Sequence, residues 1–298
     1  MPELKSVRIR TKRGHPSTGW LWHYGHFMHD FLMPVNDYLL KIRKDYNEKL
    51  RLILLAEKPI NYSRPKKRLE AVRRDDFLGE FKDAAEEFLN VKVDYKDRPE
   101  FEEVTCDYSV KLDVYKFGPY RTGSFTNLIT RARQIYDLSK KFPEIILIER
   151  GFKDIIANTL LDKTNDTGAN RRHISNHNDL KSYLEKIYGN RFINVVLEDT
   201  PYSDQVNMFA NARVVIGQHG AGLCNVAWMT NKKSLVVELG VSYCNTFKHM
   251  CFSKGVKYAA LGGCGGGNFT RRRIFVDVDK VAGIVERFIN ENDKNKID

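Results

Sequence analysis

No stretch of this 298-residue chain approaches the ~20 uninterrupted apolar residues of a membrane-spanning helix, so no integral membrane segment is expected. Its first residues, MPELKSVRIRTKRGHP, carry charge where a secretory signal has its apolar stretch, and the expected location is cytoplasmic. Cysteine is sparse. The five present (Cys106, Cys224, Cys244, Cys251, Cys264) are odd in number and form no CxxC pair, which argues against a disulfide framework and a structural zinc site and leaves buried or free thiols. There is no GxSxG nucleophile elbow, no GxGxxG after an early strand and no GxxxxGK[ST], so hydrolase, dinucleotide-oxidoreductase and P-loop chemistry lack support. Zinc fingers, RNP-like aromatic motifs and Lys/Arg-rich tails are missing as well. The net charge of +11 is therefore not read as nucleic-acid binding. Its basic residues lie in short clusters (KSVRIRTKR, SRPKKRLEAVRR, RR at 171, RRR at 271), which suit a small anionic substrate such as a nucleotide or a solvated basic face.

What the chain does have is buried-strand character. EIILIE (144–149), INVVLE (193–198), RVVIGQ (213–218) and SLVVEL (234–239) are Val/Ile/Leu runs without polar alternation, as expected of strands covered on both faces. HNDLKSYLEKIYG (177–189) between them reads as a helix ending at Gly189, SDQVNMFANA (203–212) as a helix capped by Ser203, and NTFKHMCFSKG (245–255) as a helix before VKYAAL. Strand and helix in alternation predict a parallel, Rossmann-like sheet. The first half is similar: strands at SVRIRTK, KLRLILLAE, VKVDYK and within CDYSVKLDVYKF, helices over 72–89 and 124–140, and a helix over 25–46 bent or interrupted near Pro34. The reading is two α/β domains, 1–141 and 142–298, divided near LSKKFPEI, with the last helix able to pack back on the first domain.

The sharpest local signal is RVVIGQHGAGLCN (213–225). In parallel sheets, ligands gather beyond the carboxyl ends of strands, where amides at the start of the next helix favour negative charge. Gly220 and Gly222 would bring the backbone close to a diphosphate, Ala221 keeps bulk away, and His219 can hydrogen-bond a phosphate or sugar hydroxyl. A plain tight turn fixed by the histidine fits the same residues.

RVVIGQHGAGLCNVAWM followed by SLVVELG resembles the signature of glycosyltransferase family 61, a group once catalogued as a domain of unknown function that includes enzymes adding xylose or N-acetylglucosamine to glycans. WHYGHFMHDFLMPV resembles its amino-terminal N-x-x-H-x-x-x-D segment, IILIER with NRRHISNHNDL its I-x-R…R-x-I-x-N block, and SDQVNMFANA its E-Q-V segment. The similarity spans residues 20–262, with no recognised motif over 58–120. It implies a GT-B fold, two Rossmann-like domains facing across a cleft, and an inverting, metal-independent enzyme with no cofactor that moves a sugar from a UDP-sugar to a glycan or glycoprotein acceptor. The chain departs from the family's eukaryotic members in lacking a long secretory stem and in its smaller amino-terminal domain. A noncatalytic basic nucleotide- or nucleic-acid-binding protein is the alternative.

Within that implied site, Arg150, Arg171 and Arg172 are candidates to neutralise the leaving diphosphate, Arg150 above the others because it ends a buried strand; a surface ion pair is the competing role for each. Glu238, at the end of LVVELG, could accept hydrogen bonds from ribose hydroxyls, or serve as a cap or ion-pair partner. Gln205 and Asn225 are candidate polar lining residues that could equally cap and bridge. The base that deprotonates the acceptor is expected in the first domain. His26 and Asp30 are four residues apart, on one helix face, and Asp30 is preferred as base because it aligns with the family's carboxylate. His23, His26, His29 and Asp30 do not read as a metal site, since His23 and His29 diverge around the axis and no other cluster completes the coordination.

Overall fold

A computed structural model describes residues 4–11, 27–43, 45–55, 74–96, 98–112, 122–150, 174–230, 233–240, 245–262 and 274–294, without the side chains at 11, 29, 30, 74–81, 98, 112 and 294. The chain divides into two compact units, Met1–Lys116 with Gly123–Ile135, and Phe117–Thr122 with Tyr136–Asp298. Each is built on one sheet whose strand pairs are all parallel.

In the first unit, β1 (Ser6–Thr11), β2 (Leu50–Leu55), β3 (Val91–Lys96) and β4 (Tyr108–Leu112) lie in the order β3-β2-β1-β4. One face carries Val7, Ile9, Leu52 and Val93, all buried. The register places Arg8 beside Ile53 on the other face, where α3 (Arg98–Glu103) packs Phe101 against Ile53 and Leu55 and under the guanidinium groups of Arg8 and Arg10. The helix expected over 25–46 is a π-helix, Phe27–Leu32, running into α1 (Met33–Ile42). Pro34 falls in the first turn of α1, at the junction with the π-helix. α2 (Arg74–Leu89) and α4 (Thr122–Ile135) complete the unit's described helices.

The second unit orders β5 (Ile145–Glu149), β6 (Phe192–Val196), β7 (Val214–Gln218), β8 (Leu235–Leu239) and β9 (Lys257–Leu261) as β6-β5-β7-β8-β9. Strand order reverses at β5, so β5 and β7 flank a topological switch point, the place where open α/β sheets leave a crevice beyond their carboxyl ends. β7 and β8 are buried at every position, as their unbroken apolar runs require. One face of the sheet packs on α5 (His177–Tyr188) and α8 (Val278–Lys294) through Leu180, Leu184, Val281, Val285 and Phe288. The sequence allowed the last helix to return to the first domain; its apolar face belongs to this core.

Gly189 ends α5 with φ +49, and Gly255 closes α7 (Thr246–Lys254) with φ +70, a left-handed conformation that glycine adopts without strain. Ser203 does not cap α6 (Tyr202–Asn211): the helix starts one residue earlier, after Pro201, and Ser203 sits inside its first turn. Cys224 and Cys251 are buried thiols, and Cys244 and Cys264 lie outside the described residues. Among the described residues no helix is long and apolar enough to cross a membrane.

Candidate functional site

At the carboxyl end of β7 the chain leaves the sheet as Gln218, His219 and Gly220, then enters a 3-10 helix, Ala221–Trp228, which stands where the sequence suggested an α-helix. Arg150 immediately follows β5, the neighbouring strand across the switch point. Its Nη2 donates to the carbonyl of His219 at 3.4 Å. Because the guanidinium lies over Gly220, a Cβ at that glycine would sit 2.0 Å from Arg150 Nη2. The φ of 166° is extended backbone open to any residue; a side chain at 220 would instead have to push the tip of Arg150 off the turn. Gly222 is constrained differently, since a Cβ there would meet Leu197 Cδ1 at 3.1 Å and Ile148 Cγ2 at 3.3 Å. The second glycine thus serves packing of the turn on β5, a reason the sequence did not reveal.

His219 is buried, at 4% exposure, and Glu238 is fully enclosed at 0%. The register sets Gly217 beside Glu238, so the ring two residues on from Gly217 falls on the same face. His219 Nδ1 is hydrogen-bonded to Glu238 Oε1, and the Tyr258 hydroxyl of β9 donates to Glu238 Oε2. Phe247 of α7 meets the imidazole edge-on, with ring centroids 5.1 Å apart. Both oxygens of Glu238 are therefore engaged inside the protein, an arrangement different from the ribose acceptor the strand-end position suggested.

Gln205 and Asn225 also face the protein. Asn225 Nδ2 donates to Gln205 Oε1 and to the Gly222 carbonyl, each at 3.2 Å, while Gln205 Nε2 donates to the carbonyls of Leu197 at 2.8 Å and Thr200 at 2.9 Å. The two amides tie the 3-10 helix to the segment between β6 and α6. Gly220, Ala221 and Gly222 are half-exposed, so this part of the turn is open to a ligand.

Two ionisable groups beneath the turn are displaced from their ordinary range. Burial, reinforced by the charge of Glu238, pushes the Cys251 thiol up to about 12. Burial also pulls the Lys254 amine down to about 8. Lys254 Nζ donates to the Ala227 carbonyl at 2.9 Å, holding the far end of the 3-10 helix, where carbonyls lack intrahelical partners.

The structure thus brings together Arg150, Gln205, His219, Gly220, Ala221, Gly222, Asn225 and Glu238 at one end of the second sheet. His26, Arg171 and Arg172 lie outside the described residues; Asp30 is placed by its backbone within the π-helix, its side chain outside them. Sequence reasoning missed Tyr258, Phe247 and Gln218. A tyrosine beside the small residues of KYAAL was the available sign of the first. The Gln218 side-chain carbonyl is buried with no hydrogen-bond partner among the described residues, which only coordinates reveal. Among the described residues, no cluster of three His, Cys, Asp or Glu side chains could hold a metal ion.

A family model described as Glycosyltransferase 61 matches residues 24–236, well over half of the chain. No curated protein matches. Among solved structures, the chain is similar to that of the bacterial iron-containing dodecameric glycosyltransferase TibC from enterotoxigenic E. coli. The identity is 12%, the likeness covers 89% of this chain and 67% of that one, and the TM-score is 0.32.

Proposed function

This chain belongs to glycosyltransferase family 61 and is a glycosyltransferase, and on that premise we propose that it transfers xylose or N-acetylglucosamine from a UDP-sugar to a glycan acceptor, inverting the anomeric centre without a divalent metal and within a GT-B arrangement. One observation carries the donor assignment: a cation from β5 and the half-exposed turn after β7 converge at the switch point of the second sheet. An anion lying on Gly220–Gly222 would meet the Arg150 guanidinium and the first amides of the 3-10 helix, groups suited to the charge that develops on a departing diphosphate. Oriented cations and amides can do there what a metal does elsewhere, stabilising the leaving group as the bond from the anomeric carbon to the phosphate oxygen breaks.

Chemical balance then requires a base. The acceptor hydroxyl attacks the anomeric carbon from the face opposite UDP, UDP leaves with the bonding electron pair, and the hydroxyl proton passes to a side chain. Asp30, with His26 as its partner, is the proposed base. Arg171 and Arg172 are proposed to add positive charge at the diphosphate.

The test is binding of UDP, measured by calorimetry, together with UDP release from UDP-xylose and UDP-N-acetylglucosamine in the presence of a glycan acceptor mixture. Arg150→Ala is expected to weaken UDP about 10-fold to 100-fold, the range for a hydrogen bond to a charged group, while the melting temperature stays close to that of wild type. Unchanged UDP affinity in Arg150→Ala would remove the donor site from this turn.

A further inference from the structure

We propose that Glu238 is a positioning residue of the donor site, acting through His219 rather than touching the nucleotide sugar. The inference rests on the reading of the HGAG turn as the diphosphate cradle. A carboxylate only accepts hydrogen bonds, so the contact between Glu238 Oε1 and His219 Nδ1 places a proton on Nδ1. Tyr258 fills the other oxygen from β9, and the site is closed to water, Glu238 being fully buried. A carboxylate held from two strands and cut off from solvent cannot turn to meet a ribose without leaving both a tyrosine hydroxyl and an imidazole N–H unsatisfied.

What this arrangement fixes is the ring. Nδ1 is held by Glu238, one edge rests on Phe247, and the His219 backbone N–H donates to the Leu239 carbonyl at 3.1 Å. The imidazole therefore has one orientation, with Nδ1–H on Glu238, and a phosphate oxygen that reaches the ring meets Nε2, which donates to it only when the ring carries both protons, a charge that the Glu238 carboxylate balances. The charged and titratable groups that the packed elements bring to this cluster are Arg150 after β5, Glu238 on β8, Tyr258 on β9 and Cys251 on α7. An outer carboxylate also aims a histidine at metal sites, where it leaves Nε2 a lone pair for the cation; toward an anion its part is to hold the ring and to balance the charge of the doubly protonated imidazole.

The proposal is tested in two ways on the full chain. The first uses 15N-histidine-labelled protein and reads ring protonation from long-range proton–nitrogen correlations, with His219→Ala assigning the resonance. Nδ1 of His219 is expected to carry a proton in the wild type with and without UDP. Finding Nδ1 unprotonated would overturn the proposal, and this readout needs neither turnover nor a correct donor. The second is a double-mutant cycle on UDP affinity. Glu238→Gln is expected to weaken UDP ~10-fold in the wild-type background and to have no effect in the His219→Ala background, because its influence runs through the ring. Losses that add in the double variant would mean that Glu238 contacts the donor itself and would overturn positioning. Failure of the wild type to bind UDP would count against the donor-site reading, while Nδ1 protonation would still decide whether Glu238 sets the ring.

Discussion

Lys254 shows how one residue can report on its surroundings. Its amine is pulled from the ordinary lysine value of 10.5 to about 8 by burial under the 3-10 helix. The folded protein therefore holds its proton less tightly than the unfolded chain does. The group's contribution to stability is lost as pH falls through 8 and is fully present above 10.5. Cys251 acts in the opposite sense at higher pH, since its thiol is raised in the fold. The two groups also act on each other, the amine lowering the thiol and the thiol raising the amine, so the comparison with Lys254→Met reads the lysine together with that mutual effect. In paired denaturant titrations, the stability of wild type relative to Lys254→Met is expected to rise by up to ~3 kcal/mol between neutral pH and pH ~10.5, since a tenfold change in proton affinity is worth about 1.4 kcal/mol. A difference that stays flat with pH would show that the amine is solvated.

At the level of whole elements, the two ends of the second sheet do different work. The carboxyl end carries the turn, while the amino end is clamped by ions. Arg213, just before β7, contacts Glu144 at 3.3 Å and Asp293 of α8 at 2.9 Å, and Arg191, just before β6, contacts the same two carboxylates at 2.6 Å and 3.4 Å. Asp293 is held below its ordinary carboxylate value: burial works the other way, but the hydrogen bond and charge of Arg213, seconded by Arg191, outweigh it. Arg213 is the buried member, so removing it takes the enclosed half of the clamp and leaves Arg191 alone with both carboxylates. Arg213→Met is expected to lower stability by about 1–3 kcal/mol in urea titrations, with UDP affinity unchanged because the site lies at the opposite end of the strands. Weaker UDP binding in a folded Arg213→Met protein would show that the clamp also shapes the turn.

At the scale of the whole molecule, the transfer proposed above runs without a divalent cation. The proposed replacement, Arg150 and helix amides at the switch point with Arg171 and Arg172 beside them, predicts that transfer measured as UDP release keeps most of its rate after dialysis against EDTA and gains less than about 2-fold from added manganese. Loss of turnover restored by manganese would overturn that replacement and direct the search to a carboxylate site. The charge of +11 is the excess of Lys and Arg over Asp and Glu, so ion pairs such as Arg10 with Glu102 and Lys140 with Asp204 leave it untouched.

The sequence by itself determined the strands and the family. Runs such as VVIGQ and LVVEL can be satisfied only in the middle of a sheet, and HGAG with its flanking motifs in order marks the family 61 signature that the family model matches. It could not determine the short elements. RPEFEE carries no long apolar period, so α3 exists only because Phe101 has Ile53 and Leu55 to pack on. Nor could it say what each polar residue in the turn faces. The spacing of His219 and Glu238 along the chain is silent about register, and only the parallel pairing of β7 with β8 sets Gly217 beside Glu238 and turns the imidazole onto the carboxylate. The same holds for Gly220. A glycine in a turn reads as conformational freedom, whereas its extended backbone needs none; what a side chain there would displace is the guanidinium of Arg150, 70 residues earlier in the chain and brought to the turn by the pairing of β5 with β7. Side-chain type and local period are properties of the chain, but which groups meet in a buried site is decided by strand order and register, and these exist only in the folded molecule.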